Sequence, residues 1–212
     1  MTGKVITVAQ QKGGTGKTSL SANLAVCLKN KGKRVAILDT DPQGSLGHWF
    51  MARRERLGED AIDLGFRTAS AWGARYEANA LAKEYDFVVI DTPPKMGIDG
   101  KPAIETADLV VIPVTPSPVD IWATTPTIDM AVSEKKPVLM VLNRASERMR
   151  ITAETRQALQ ESGGTLAETV LGNRVLYAEV MHEGYAITEK RPSGPGASEM
   201  KKLADEVSKA VR

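Results

Sequence analysis

Cysteine is nearly absent: Cys27 is the only one in 212 residues. An intramolecular disulfide and a cysteine-based metal cluster are therefore excluded. Cys27 falls on an apolar stretch, where a small core residue is the expected role. No run approaches the roughly 18 apolar residues of a membrane span, and the start lacks the pattern of a secretory leader. A cytosolic location is expected. Excess charge of one sign is also missing, since 28 Lys and Arg offset 26 Asp and Glu. Any contact with nucleic acid must then come from a local patch rather than an overall field. Internal repeats, low-complexity tracts and interior linkers are absent too. Residues 1–212 are read as one α/β domain, a length that suits a single core.

What is present concentrates near the start. Val5-Ile6-Thr7-Val8-Ala9-Gln10-Gln11 leads into Lys12-Gly13-Gly14-Thr15-Gly16-Lys17-Thr18-Ser19. A short apolar run enters a glycine-dense turn, and a helical pattern follows at once. This is the layout of a phosphate-binding loop. Glycines allow successive backbone N–H groups to converge on phosphate oxygens, and the helix adds its positive dipole end. In such a loop Lys17 supplies charge to the β- and γ-phosphates, and the Thr18 hydroxyl is placed for Mg²⁺.

The usual form wants glycine five residues before the Gly-Lys pair, where Gln11 stands. A second lysine, Lys12, precedes Gly13-Gly14 instead. Lys-Gly-Gly-x-Gly-Lys-Thr is the deviant Walker A signature, and with it the chain resembles the ParA/MinD family of dimerising ATPases. The resemblance extends over essentially the whole chain. It implies a three-layer P-loop NTPase fold, with a mostly parallel twisted sheet flanked by helices, and it implies ATP and Mg²⁺ as ligands.

In chain order, Lys4 to Ala9 reads as a buried strand, Lys17 to Lys31 as a helix and Arg34 to Leu38 as a second strand. The second strand delivers Asp39-Thr40-Asp41-Pro42-Gln43. An Asp-Pro turn capping the next helix accounts for one of these aspartates better than for both. The family resemblance makes this segment switch I, with Asp41 near the attacking water and the Mg²⁺ shell and Asp39 supporting the metal site. Ser45 to Leu57 is helical, and Arg53, Arg54 and Arg56 on it are expected to form a solvated face. Ile62 to Phe66 is a weak strand, and Ser70 to Lys83 a helix. Tyr85 to Asp91 is apolar until its terminal aspartate, the position of a Walker B acid that would hold Mg²⁺ through water. Thr92, Pro93, Pro94 and Gly97 then shape a loop suited to a γ-phosphate switch.

Asp108 to Val114 is the next strand, and Pro118 is placed to open a helix through Ile121, Trp122 and Met130. Val114 to Asp120 resembles the proline-rich segment of small plasmid ParA proteins such as ParF. That likeness implies that Pro116, Ser117, Pro118 and Asp120 join Lys12 at a dimer interface; a rigid strand-to-helix turn is the plainer reading. Pro137 to Leu142 is a strand delivering Asn143 and Arg144. An Asn at this strand end contacts the adenine in the family, as its amide chemistry permits. Arg144 stacks on a base or faces solvent. Further elements are a helix over Thr152–Glu161, a strand over Thr165–Val170, a helix over Arg174–His182, a flexible connector from Pro192 to Gly196 and a closing helix over Ser198–Arg212.

The resemblance further implies a cycle. ATP joins two copies face to face, with Lys12 and Lys17 neutralising charge at the transferred phosphoryl group and Asp41 serving turnover. The dimer binds DNA without sequence preference through phosphate contacts. Candidates are Arg144, Arg148, Arg150, Arg156, Arg174, Lys190, Arg191, Lys201 and Lys202. A ParB-like or other adaptor would stimulate slow hydrolysis, and the cycle would position a cargo on the nucleoid. No N-terminal helix-turn-helix domain is expected, because the first strand begins almost at Met1. One alternative is a membrane-associated MinD-like regulator. The closing helix argues against it, because Met200, Leu203, Val207 and Val211 lack aromatic company opposite a mixed-charge face. A second alternative is a metabolic P-loop ligase, which would not need Lys12. A nitrogenase-iron-protein role is disfavoured, because a cluster shared by a dimer needs two cysteines from each chain.

Overall fold

Val5, Ile6 and Val8 are sealed from water in the first strand, β1 (Lys4–Val8), and the rest of the sheet is laid down on either side of it. In the computed structural model, residues 2–58, 63–94, 100–146 and 148–211 are described. Six further strands follow: β2 (Val35–Asp39), β3 (Gly65–Thr68), β4 (Phe87–Asp91), β5 (Leu109–Val114), β6 (Val138–Leu142) and β7 (Thr165–Leu166). Their order is β3-β2-β4-β1-β5-β6-β7, and every pairing is parallel. Such a sheet needs both faces covered, which explains why β2, β4, β5 and β6 read as near-continuous apolar runs rather than alternating ones.

The faces are nonetheless distinct. Val89 packs toward α1 (Lys17–Lys29), whereas its neighbours Val88 and Ile90 join Ala74, Ala78 and Leu81 of α3 (Ala74–Leu81) on the opposite side. Beyond β1, Ile112, Val114, Met140 and Leu142 build a third cluster with Ile128 of α5 (Pro118–Ser133) and Leu159 of α6 (Arg150–Gln160). Helix α1 is buried all round from Leu20 to Leu28 because it lies between the sheet and a second layer of helix. A helix so placed has no polar face to show, and its sequence accordingly lacks a clean amphipathic pattern. That outer layer is α9 (Pro195–Ala210), whose Met200, Leu203 and Val207 are fully buried against it. The apolar stripe of the closing helix is consumed in packing. Among the described residues, no helix is long and apolar enough to cross a membrane.

Several boundaries differ from expectation. Helix α9 starts at Pro195, and Gly196 is buried inside it, so the flexible connector is shorter than the sequence implies. Proline is preorganised for the first helical position, and its missing N–H would have had no intrahelical partner there. Strand β7 stops after Leu166 because the N–H groups of Glu168 and Thr169 donate to the Glu206 carboxylate on α9, at 2.8 and 2.9 Å, instead of continuing the ladder. The short helices α4 (Lys101–Thr106) and α8 (Ile187–Lys190) carry too few turns for a periodic signal. α7 occupies Leu176–His182 and α2 Ser45–Leu57. Ile62, Gly97 and Arg212, each included in a sequence expectation, lie outside the described residues.

Arg53 overturns the solvated-face reading of α2. Its side chain is 1% exposed and lies between two carboxylates. It donates to Asp63 at 3.0 and 2.7 Å and to Glu189 at 2.8 Å twice. Trp49 lies 5.5 Å away, ring centroid to guanidinium. A charge this deep survives only because its hydrogen-bond donors are matched.

Candidate functional site

Parallel packing brings the C-terminal ends of β1, β2, β4, β5 and β6 to one edge, and the phosphate-loop residues, Asp39, Asp41, Asp91 and Asn143 lie there. β1 is the point where the chain reverses direction across the sheet, the usual place for a ligand crevice. The loop after β1 wraps back on itself. Gly14 (φ +79°) and Gly16 (φ +91°) take backbone conformations that side chains resist. Gly16 caps the N-terminus of α1 without any side-chain cap, leaving the first N–H groups of that helix free for an anion.

Lys17 is buried and its ammonium rests 3.4 Å from the Lys12 carbonyl, inside the loop. Burial lowers its pKa, and the charges of Asp91 and Asp41 act in the opposite direction. Asp91 ends β4, wholly enclosed. Burial pushes its carboxyl up to about 7; the neighbouring Thr18 hydroxyl opposes this, while Asp39 adds to it by repulsion. The repulsion follows from register, since Asp39 and Asp91 are direct partners across β2 and β4. Ser21 Oγ donates to Asp91 Oδ1 at 3.2 Å, whereas Oδ2 is buried and has no hydrogen-bond partner among the described residues. A buried, unpartnered carboxylate oxygen beside the Thr18 hydroxyl fits a hard cation such as Mg²⁺, which takes only one or two protein ligands and keeps the rest as water or phosphate. Among the described residues, no cluster of three or more His, Cys, Asp or Glu is gathered.

The two switch I aspartates divide their work. Asp39 Oδ1 accepts from the Asp41 N–H at 3.0 Å and Oδ2 from the Gly47 N–H at 2.9 Å, so both oxygens brace the turn into α2. Burial raises its pKa against those hydrogen bonds. Asp41 is partly exposed and makes an Asx turn to the Gln43 N–H at 3.0 Å. The bond to the first turn of α2 thus comes from Asp39, while Asp41 shapes the Asp-Pro turn before it.

Lys12 leaves its own loop. Its side chain is 38% exposed, and its ammonium forms an ion pair with the buried Asp120 on the first turn of α5. Asp120 also accepts from the hydroxyls of Thr115 and Ser117, and Ser117 caps α5 by accepting from the Asp120 N–H at 3.1 Å. Pro116 and Pro118 hold this turn, with Pro118 at the first helical position. A second tie has no local sequence signal: buried Gln10 donates from Nε2 to Thr124 Oγ1 of α5 at 2.9 Å. The loop is therefore tied to α5 at two points, Lys12 to Asp120 and Gln10 to Thr124.

Asn143 lies at the end of β6, 8% exposed. Its Nδ2 donates to the Thr15 carbonyl at 2.7 Å, and its Oδ1 accepts from the Arg144 N–H at 3.0 Å. Arg144 is exposed and held at φ +51°. Both residues line a cavity of about 350 Å³ with Gly16, Leu20, Asn173 and Tyr177. Asn173 and Tyr177 had no local pattern to mark them; they reach the crevice only because α7 folds back over α1.

The basic candidates are scattered. Arg148, Arg174 and Lys202 share an open groove of about 1070 Å³, but Glu168, Asp205 and Glu206 line it too. Arg174 is paired with Glu199, Lys190 with Glu183, and Arg150 with Glu154. Lys201 donates to the Pro192 carbonyl at 3.0 Å. Arg156 and Arg191 lie outside that groove.

Comparison with known proteins agrees with this geometry. The CobQ/CobB/MinD/ParA nucleotide binding domain matches residues 6–211. The chain is 34% identical to the maintenance of carboxysome distribution protein A of Halothiobacillus neapolitanus, covering 95% of each protein. It is 30% identical to the chromosome-partitioning ATPase Soj of Thermus thermophilus, over 98% of this chain and 96% of that one. In fold it resembles the septum site-determining protein MinD of Pyrococcus horikoshii, solved with Mg-ADP. The TM-score is 0.81 at 21% identity, over 97% of this chain and 96% of the other.

Proposed function

The chain belongs to the CobQ/CobB/MinD/ParA nucleotide-binding family, and from that premise we propose that it is a Mg²⁺-dependent ATPase of the ParA partitioning type. Two copies join face to face over ATP, the joined form binds DNA without sequence preference, and hydrolysis separates them. The cycle positions a cargo. Relatives named for carboxysome distribution and for chromosome partitioning support such a role. The Pro116-Ser117-Pro118 turn favours kinship with the small plasmid partition proteins. A ParB-like or other adaptor would accelerate hydrolysis, and the ATP-bound form would lie on the nucleoid.

Each residue has a part derived from its place. The N–H groups from Gly13 to Ser19 cradle the phosphates, and Lys17 donates to their β- and γ-oxygens from within the loop. Thr18 and Asp91 would hold Mg²⁺, with Asp39 keeping the switch turn in place and Asp41 facing the attacking water. Bound Mg²⁺ supplies charge neutralisation on the phosphate oxygens. Asn143 and Arg144 border the cavity where the base would lie.

The observation that carries the dimer is Lys12. Its ammonium is paired with Asp120 at the start of α5, and a second copy's phosphates would replace that carboxylate as its partner. The same edge is apolar. Of eight exposed large hydrophobic residues among those described, six (Trp72, Tyr76, Val119, Trp122, Met149 and Val175) lie on connections or early helical turns leaving the C-terminal ends of strands. Val119 and Trp122 flank Asp120 and would be covered by the partner. The stripe of α9 is buried against α1, so that helix offers no apolar face to a membrane, which disfavours the MinD-like alternative.

Light scattering and DNA co-sedimentation with ATP, ADP or no nucleotide test the proposal, for the wild type and Lys12→Ala. The expected result is ATP-dependent dimerisation and DNA binding, both impaired in the variant. A monomer indifferent to ATP and to Lys12 would overturn it, as would a dimer that ignores DNA in every nucleotide state.

A further inference from the structure

Asn143 does something a base contact would not require. Its amide reaches across from β6 and grips the phosphate loop itself, donating to the Thr15 carbonyl at 2.7 Å. The orientation of the amide is fixed at both ends, because Oδ1 accepts the Arg144 N–H at 3.0 Å. Turning the amide over would set two carbonyl oxygens against each other and two N–H groups together. The strand end that carries it is anchored in turn, since the Asn143 N–H donates to the Val114 carbonyl of β5 at 2.8 Å.

In a trans peptide the C=O and the following N–H point in opposite directions. Holding the Thr15 carbonyl outward, toward β6, therefore aims the Gly16 N–H inward, toward the space the phosphates occupy. Gly16 is shaped for this contact as well as for its backbone angle. A Cβ there would sit 2.6 Å from Asn143 Nδ2, too close for the amide to keep its place. Thr15 is 1% and Asn143 8% exposed, so water does not compete for the bond.

We infer that Asn143 is a positioning residue for the phosphate loop: its amide presets the Thr15–Gly16 peptide for phosphate binding, whichever base the nucleotide carries. This rests on the phosphate-loop reading of residues 12–19. It differs from an adenine contact in a measurable way. A base contact matters only to ligands that have a base, whereas a preset peptide matters to the phosphates alone.

The test compares Asn143→Asp with the wild type in calorimetric binding of Mg-ATP and of Mg-inorganic triphosphate, which has no base. Aspartate keeps the size and the acceptor for Arg144 but cannot donate to Thr15, and its charge faces a carbonyl oxygen. Both affinities are expected to fall together by about tenfold or more, as for a buried acceptor left unsatisfied. The ligand-free unfolding temperature is read alongside. A merely structural role would lower that temperature and leave the affinity of the folded protein unchanged, which would refute the inference. Loss of ATP affinity with triphosphate binding intact would also refute it and return Asn143 to the base. Unchanged binding of both ligands would refute it as well. Failure of the wild type to bind either ligand would instead overturn the phosphate-loop reading. Should Asn143→Asp not fold, Asn143→Ser carries the same comparison, since its hydroxyl is too short to reach Thr15.

Discussion

Replacing Arg53 with methionine should destabilise the protein by about 3–5 kcal/mol, the range for breaking a buried ion pair from one side. The guanidinium makes four short hydrogen bonds to Asp63 and Glu189, whose side chains are 16% and 21% exposed. Its removal does not strand both carboxylates completely. Lys29 stays 2.8 Å from Asp63, and Glu189 keeps the Ala186 N–H at 2.8 Å and Arg56 at 3.6 Å. The lower end of the range is therefore expected, roughly 3 kcal/mol. For a chain of this size that lowers the unfolding temperature by about 6–12 °C. Burial alone would raise the pKa of each carboxyl, but hydrogen bonds from Arg53 hold both below the usual range. A depressed folded-state pKa contributes stability above the unfolded value, near 4, and that stability disappears as pH falls through the folded one. The gap between variant and wild type should thus be full at pH 7 and shrink below about pH 4. Urea and thermal unfolding, followed by circular dichroism at both pH values, measure it. A triple replacement of Arg53, Asp63 and Glu189 by apolar residues should recover much of the loss. A loss under about 1 kcal/mol for Arg53→Met would refute the claim that this cluster holds α2 against α8.

Asp91→Asn should separate stability from function. Burial raises the Asp91 pKa to about 7, so the folded protein resists ionisation that the unfolded chain undergoes near pH 4. Wild-type stability is eroded as pH rises from about 4 to 7 and then levels off. The ligand-free variant should be the more heat-stable at pH 8, with the advantage vanishing near pH 4, and it should lose ATPase activity; equal melting curves at pH 8 would contradict this. Cys27, 2% exposed, has its thiol pushed up to about 11 by burial. At pH 8 roughly one molecule in a thousand carries the thiolate, so a disulfide reagent should label the native protein only as fast as it opens. Rapid stoichiometric labelling without denaturant would show that α9 does not shield α1.

Local chemistry made part of this protein legible in its residue order. Two lysines and three glycines around Thr15 specify a phosphate loop, because backbone angle and charge are properties of the residues themselves. Asp91 announces its place because it ends an apolar run, whereas the places of Asp39 and Asp41 followed from the family resemblance. Short apolar runs bounded by glycine, proline and charged residues likewise located most strands, and helical spacing located the longer helices. Tertiary structure decided what depends on partners far along the chain. The register of β2 against β4 sets Asp39 beside Asp91 and explains the raised pKa, yet neither strand encodes its neighbour. Arg53 looks like any surface arginine until Glu189, 136 residues later, folds over it. Lys12 finds Asp120, and Asn143 finds Thr15, only when β5 and β6 come to lie on the far side of β1. Periodicity reports which face of an element is buried; it carries no record of what the chain brings to cover that face, and the ion pairs and the loop clamp are made there.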